Sequence, residues 1–143
     1  VFLHTFANKS PKWGVKELRA LHTDPKPKGE GWSDIGYHYM IMLDGTLEKG
    51  RDLWRQGAHV EGENHDSIGV AFQGHGDKQI WTAPQWKTWL TLYRQLKKRY
   101  GLLEVEGHRE APSGKRQGKS CPGKLIDMDV VRLITRLSIG GPL

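Results

Sequence analysis

Ile35–Gly50 reads IGYHYMIMLDGTLEKG, an apolar and aromatic run, then Asp44-Gly45, then a second short run. Asp-Gly between two such runs signals a β-hairpin, because both residues tolerate the positive φ of a tight primed turn. An antiparallel strand pair is expected here. Elsewhere strand-like and helix-like segments interleave. A hairpin set within that alternation predicts an α/β fold, a mixed central sheet flanked by helices. The 143 residues, 36% apolar and 27% charged, suit a single domain spanning 1–143 with one core.

Working outward, Val1–Phe6 (VFLHTF) is a short apolar run that places His4 near the end of a buried strand. Val15, Leu18 and Leu21 recur at helical spacing. Ser67–Gly74 (SIGVAFQG) has the length and β-branched content of a buried strand. From Thr82 the period changes to 3.6. Thr82 and Gln85 form a capping box, Trp86, Trp89, Leu90, Tyr93, Leu96 and Tyr100 line one face, and Gly101 ends the longest helix. Leu102–His108 reads as a strand running into a loop rich in Gly, Pro and Lys, and Asp127–Ser138 as a closing amphipathic helix. No repeat, heptad array or low-complexity tract appears.

No stretch has the roughly 18 to 20 apolar residues of a membrane span, and the first residues lack the pattern of a signal peptide. The net charge is +6, and Arg94–Lys124 carries nine Lys and Arg against Glu104, Glu106 and Glu110. Such a field attracts anionic polymers: nucleic acid, lipopolysaccharide, or a bacterial wall. It serves equally as a solvated face that keeps the protein soluble.

The one cysteine, Cys121, excludes an internal disulfide and leaves a buried thiol, a nucleophile or a metal ligand. His108 stands thirteen residues before it. The two could supply two of the three protein ligands that a catalytic zinc needs, with the third to come from elsewhere. No CxxC or paired-histidine pattern marks a zinc finger, and spacing alone leaves a Cys-His nucleophilic pair open.

FLHTFA, GWSDIGYHYMIMLDGTLEKGR, GAHVEGENHDSIGV and GHREAPSGKRQGKSCPG follow one another here in the order in which they occur in the zinc-dependent N-acetylmuramoyl-L-alanine amidases of type 2. That family also includes the peptidoglycan-recognition proteins, and the chain most resembles its small phage endolysins, over nearly its whole length. The resemblance implies one zinc per chain, held by His4, His108 and Cys121. It implies catalytic assistance from Tyr37 and Lys119, and substrate contacts at His59 and Asn64. If Tyr37 and His38 lie on one strand, they point to opposite faces, so at most one faces the zinc. No glutamate matches the general base of the bacterial recycling amidases, which leaves the base to the zinc-bound hydroxide with Tyr37 in support.

The implied reaction is hydrolysis of the amide between the lactyl group of N-acetylmuramic acid and L-alanine of the stem peptide. The implied partner is bacterial peptidoglycan, with an anionic wall or outer-membrane surface as a second. A monomer is expected, since no apolar seam marks an interface. Such an enzyme is made in the host cytoplasm without a signal peptide and reaches the wall after holin-type release. Two other functions compete. A wall-binding module without catalysis typically lacks the cysteine ligand, which Cys121 argues against. A regulator binding RNA polymerase or nucleic acid has only the basic field for support, with no nucleic-acid motif.

Overall fold

The computed structural model describes residues 1–140. β1 (Phe2–Thr5), β2 (Tyr39–Ile41), β3 (Leu47–Lys49), β4 (Gly69–Phe72) and β5 (Glu106–Gly107) form one sheet in the order β3-β2-β4-β1-β5. β2, β4, β1 and β5 run parallel, with Leu3 opposite Val70 and Gly107, and Tyr39 also opposite Val70. β3 is antiparallel to β2, so the sheet is mixed, as the Asp44-Gly45 signal implies.

The turn itself differs from the expected one. Met42 N–H donates to the Thr46 carbonyl and Gly45 N–H to the Met42 carbonyl, each at 2.9 Å. Gly45 has φ 87°, whereas Asp44 stays out of the left-handed region. The connection is therefore a three-residue loop, a type I turn closed by a left-handed glycine, rather than a two-residue primed turn. Asp44 acts through its side chain, which accepts the Thr46 N–H at 2.9 Å.

α2 (Ala83–Tyr100) seats on that turn: Thr82 Oγ1 donates to the Leu43 carbonyl at 2.6 Å and Thr88 Oγ1 to the Gly45 carbonyl at 2.5 Å. The Thr82–Gln85 capping box forms, and Gly101 ends the helix at φ 82°. The buried stripe is Gln85, Trp89, Leu92, Tyr93 and Leu96, rotated from the expected one, so that Tyr100 is exposed. Gln85 turns inward because its amide donates to the Ile41 and Gln73 carbonyls at 3.2 and 2.9 Å, the first of which also accepts the Gln73 N–H at 2.9 Å. α4 (Met128–Ser138) starts at Asp127, which caps Asp129 and Val130 N–H, and buries Met128, Val131 and Thr135.

Strand alternation divides the sheet. Leu3, Ile41, Val70 and Phe72 face the main core with α2 and α4, where Phe72 stacks on Trp81 at 3.8 Å between ring centres. On the other face, α1 (Val15–Thr23) packs Leu18 against Phe6, Met40 and Ala71, and loop residues Val60 and Ala111 cover Phe2. His4, buried, lies between these two patches. Two local expectations are corrected. Leu21 is exposed, because His22 takes the inward place on α1. β5 is only two residues long, because its one neighbour β1 is itself four residues and pairs with it at Phe2 and Leu3.

Candidate metal centre

His4 comes from β1, beside the edge strand β5, and His108 from the first position after β5. The twelve residues between His108 and Cys121 fold back on themselves through α3 (Pro112–Arg116). That return requires Gly114, where an added Cβ would lie 2.0 Å from the His108 carbonyl oxygen. Arg109 then closes the loop. Its N–H donates to the Cys121 carbonyl at 2.7 Å, and its guanidinium to the Ser120, Gly123 and Ile126 carbonyls at 3.3, 2.6 and 2.6 Å. Glu110 accepts the Gly107 N–H at 2.8 Å and receives both arms of Arg132 at 2.8 and 3.0 Å. The two residues after His108 thus hold the cysteine loop on one side and α4 on the other.

These restraints bring one ligand atom each from His4, His108 and Cys121 within 4.8 Å of one another. Cys121 Sγ lies 3.6 Å from His4 Nδ1 and accepts the Thr5 N–H at 3.4 Å. Burial, then the neighbouring histidines, hold His4 well below the usual histidine range. Burial, with the Lys119 charge second, brings His108 to about 4. Both rings are therefore neutral near pH 7, with a lone pair available to a cation. Burial pushes the Cys121 thiol up to about 12 against the pull of the Thr5 N–H, Lys119 and Arg109. A thiol so placed ionises when a cation lies beside it. Two neutral imidazoles, one sulfur and a backbone N–H aimed at that sulfur fit a zinc site that keeps a position open for substrate or water.

Tyr37 packs beside His4 with its ring tilted, ring centres 4.9 Å apart, and burial, then Cys121, raise its phenol well above the usual tyrosine value. It stays a hydrogen-bond donor. His38 packs edge-on against His59, ring centres 5.9 Å apart, its Nδ1 accepting the Gly69 N–H at 3.0 Å and its Nε2 facing the Arg55 carbonyl at 2.8 Å. Lys119 is exposed, and its charge is felt at both His108 and Cys121. His59 meets His4, Nδ1 to Nε2, at 3.0 Å, and its Nε2 meets Ser67 Oγ at 3.2 Å. Asn64 Oδ1 accepts the N–H of both His59 and Val60 at 2.9 Å. Trp32 packs on His22 at 4.8 Å and Trp13 on Phe6 at 6.1 Å between ring centres. Sequence reasoning passed over Ser67, Arg109 and the Glu110–Arg132 pair. The HRE triplet carries the only local trace of the last two, a charge of each sign directly after a candidate ligand.

His4, His108 and Cys121, three side chains of a type that could hold a metal ion, lie beside the Tyr37 ring on one face of a small mixed sheet, an arrangement that suits metal-assisted hydrolysis. The family model described as N-acetylmuramoyl-L-alanine amidase matches residues 1–124. The endolysin of Escherichia phage T7 is 36% identical over 128 residues, covering 85% of this chain and 78% of that protein. Among solved structures, the Ph2119 endolysin from the Thermus scotoductus MAT2119 bacteriophage Ph2119 superposes with a TM-score of 0.76 at 26% identity, covering 99% of this chain and 83% of that one. The endolysine N-acetylmuramoyl-L-alanine amidase LysCS from Clostridium intestinale URNW reaches 0.80 at 23% identity, covering 99% and 82%, and shows the shared fold. The chain belongs to the N-acetylmuramoyl-L-alanine amidase family.

Proposed function

We propose that this chain is a zinc-dependent endolysin that hydrolyses the amide between N-acetylmuramic acid and L-alanine of peptidoglycan, with His4, His108 and Cys121 as the metal ligands. The observation that carries the reading is the convergence of those three side chains within 4.8 Å on a chain of this family. Zinc, when bound, supplies Lewis-acid polarisation of the amide carbonyl and a water acidified to near neutrality.

The chain's own residues do the rest. Tyr37, held protonated beside His4, donates its hydroxyl hydrogen to the reacting centre. The Lys119 ammonium faces the negative charge that develops on the carbonyl oxygen, a contribution of about 3 to 4 kcal/mol for one well-placed donor. It also favours the thiolate of Cys121. Arg109 and Glu110 keep the two late ligands at fixed separation while the substrate binds. The leaving amine of L-alanine takes a proton from solvent or from the Tyr37 hydroxyl, and the lactyl carboxylate is released.

Purified peptidoglycan tests this reading. Soluble fragments released by the wild type, lost on chelation, restored by added zinc and absent with Cys121→Ser support it. Release that persists in Cys121→Ser or under chelation overturns it.

A further inference from the structure

Four groups run in a line from the sheet to the surface loop: His4, His59, Ser67 and the Glu63 backbone carbonyl. His4 Nε2 lies 3.0 Å from His59 Nδ1, His59 Nε2 lies 3.2 Å from Ser67 Oγ, and Ser67 Oγ lies 2.7 Å from the Glu63 oxygen. Each imidazole nitrogen and the hydroxyl can take either role, but a carbonyl oxygen only accepts. The shortest contact in the line ends on that oxygen, so Ser67 donates its single proton there. Ser67 Oγ then accepts from His59, which places the His59 proton on Nε2 and leaves Nδ1 bare. That bare nitrogen accepts from His4 Nε2–H, and the lone pair of His4 falls on Nδ1, the atom facing Cys121 Sγ.

The ring of His59 is not free to turn away from this arrangement. It is wedged between two glycines: a Cβ at Gly57 would lie 2.7 Å from His59 Cδ2, and one at Gly69 would lie 2.7 Å from His59 Cγ. Phe2 flanks it at 6.2 Å and His4 meets it edge-on at 5.1 Å between ring centres.

We propose that His59, anchored through Ser67 to the Glu63 carbonyl, is a positioning residue that fixes His4 in the Nε2–H tautomer, so that Nδ1 is the atom presented to the metal. The inference rests on the metal reading above and assigns His59 to the ligand rather than to the substrate. Reading the line from the metal end gives the same protons: a ligating Nδ1 leaves the His4 proton on Nε2, and His59 Nδ1 must then accept it. Two independent ends agree. Hydrogen-bonded partners of this kind orient metal-bound histidines, and their loss typically costs about 10- to 100-fold in metal affinity.

The test uses the whole chain and zinc alone. Nitrogen-15 NMR of the folded metal-free protein reads the tautomer of each histidine, and competition with a chromogenic chelator reads zinc affinity. His4 is expected as Nε2–H in the wild type. His59→Leu, which removes the acceptor, is expected to lose about 10- to 100-fold in zinc affinity. His59→Asn, whose Oδ1 replaces Nδ1 as acceptor, is expected to recover most of that loss. Ser67→Ala, on the rim of the loop, is expected to leave the fold intact and to mix the His4 tautomers. A wild-type His4 protonated on Nδ1, or equal zinc affinity in His59→Leu and the wild type, overturns the inference while leaving the metal site standing. A wild type that binds no zinc defeats the metal reading itself. If His59→Leu fails to fold, the tautomer shift in Ser67→Ala decides alone.

Discussion

Tyr37 and Lys119 separate by what each can be asked to do. Tyr37 is packed against His4 and stays protonated, whereas Lys119 is exposed, so in the proposed reaction the first serves as a donor and the second by its charge. Tyr37→Phe and Lys119→Ala are each expected to lower kcat by about 10²- to 10³-fold with zinc affinity changed only a few-fold. Steady-state kinetics on soluble muropeptides, paired with a zinc titration, measures both.

His22 gives a second residue-scale expectation. Gly36 N–H donates to its Nδ1 at 2.9 Å, and burial lowers its pKa to about 4. The unfolded chain takes up a proton at this site near pH 6.5 and the folded chain does not until about 4. The histidine therefore costs nothing above pH 6.5 and subtracts stability progressively as the pH falls to about 4. Full development of that difference is on the order of 3 kcal/mol. His22→Asn, which keeps an acceptor for Gly36, is expected to flatten the acid limb of the stability curve. Urea melts of both proteins between pH 4 and 7 read the difference.

At the scale of elements, the cysteine loop shows why a short stretch could be recognised but not built from sequence. His108 and Cys121 stand out as residue types, yet what joins them is three carbonyls pointing at one guanidinium and a helix that passes under the His108 carbonyl. Neither leaves a periodic pattern. Gly114→Ala is expected to destabilise by about 1 to 3 kcal/mol, because the backbone at His108 has to move to admit the methyl. It should weaken zinc binding as well, which a chelator titration alongside thermal melts will show. A surface Gly118→Ala at φ 65° is the control: it strains the backbone, with nothing within 4 Å of its Cβ, and should leave zinc affinity alone.

The legible elements were those with a local cause. Capping by Thr82, termination at Gly101 and the Asp44-Gly45 reversal are written in adjacent residues, and each appears in the structure. The hairpin's turn type and the inward turn of Gln85 depend on distant carbonyls and packing, so no local rule supplied them. The same holds for the site. His4, His108 and Cys121 were assigned through family resemblance, and the structure then brings them together, whereas Ser67 is an ordinary loop serine until the Glu63 carbonyl fixes its proton.

Taken as a whole, the molecule gathers buried His4 and half-buried His108 and Cys121 at one place within a chain of net charge +6. No described helix is long and apolar enough to cross a membrane. A net positive field of this kind draws anionic polymers, and encounter with an anionic wall is the expectation it supports. Raising ionic strength from about 0.02 to 0.3 M shortens the screening length from roughly 20 to 6 Å. Cosedimentation of the Cys121→Ser protein with anionic walls is expected to fall several-fold over that range, and salt-independent binding would place recognition in uncharged contacts instead.

The central claim is a metal-dependent cut at one bond, and mass spectrometry of a purified peptidoglycan digest, with and without a chelator, reads it directly. The account predicts stem peptides with a new N-terminal alanine in the unchelated sample alone. New reducing sugar ends, or intact glycan–peptide linkages in both samples, would contradict it.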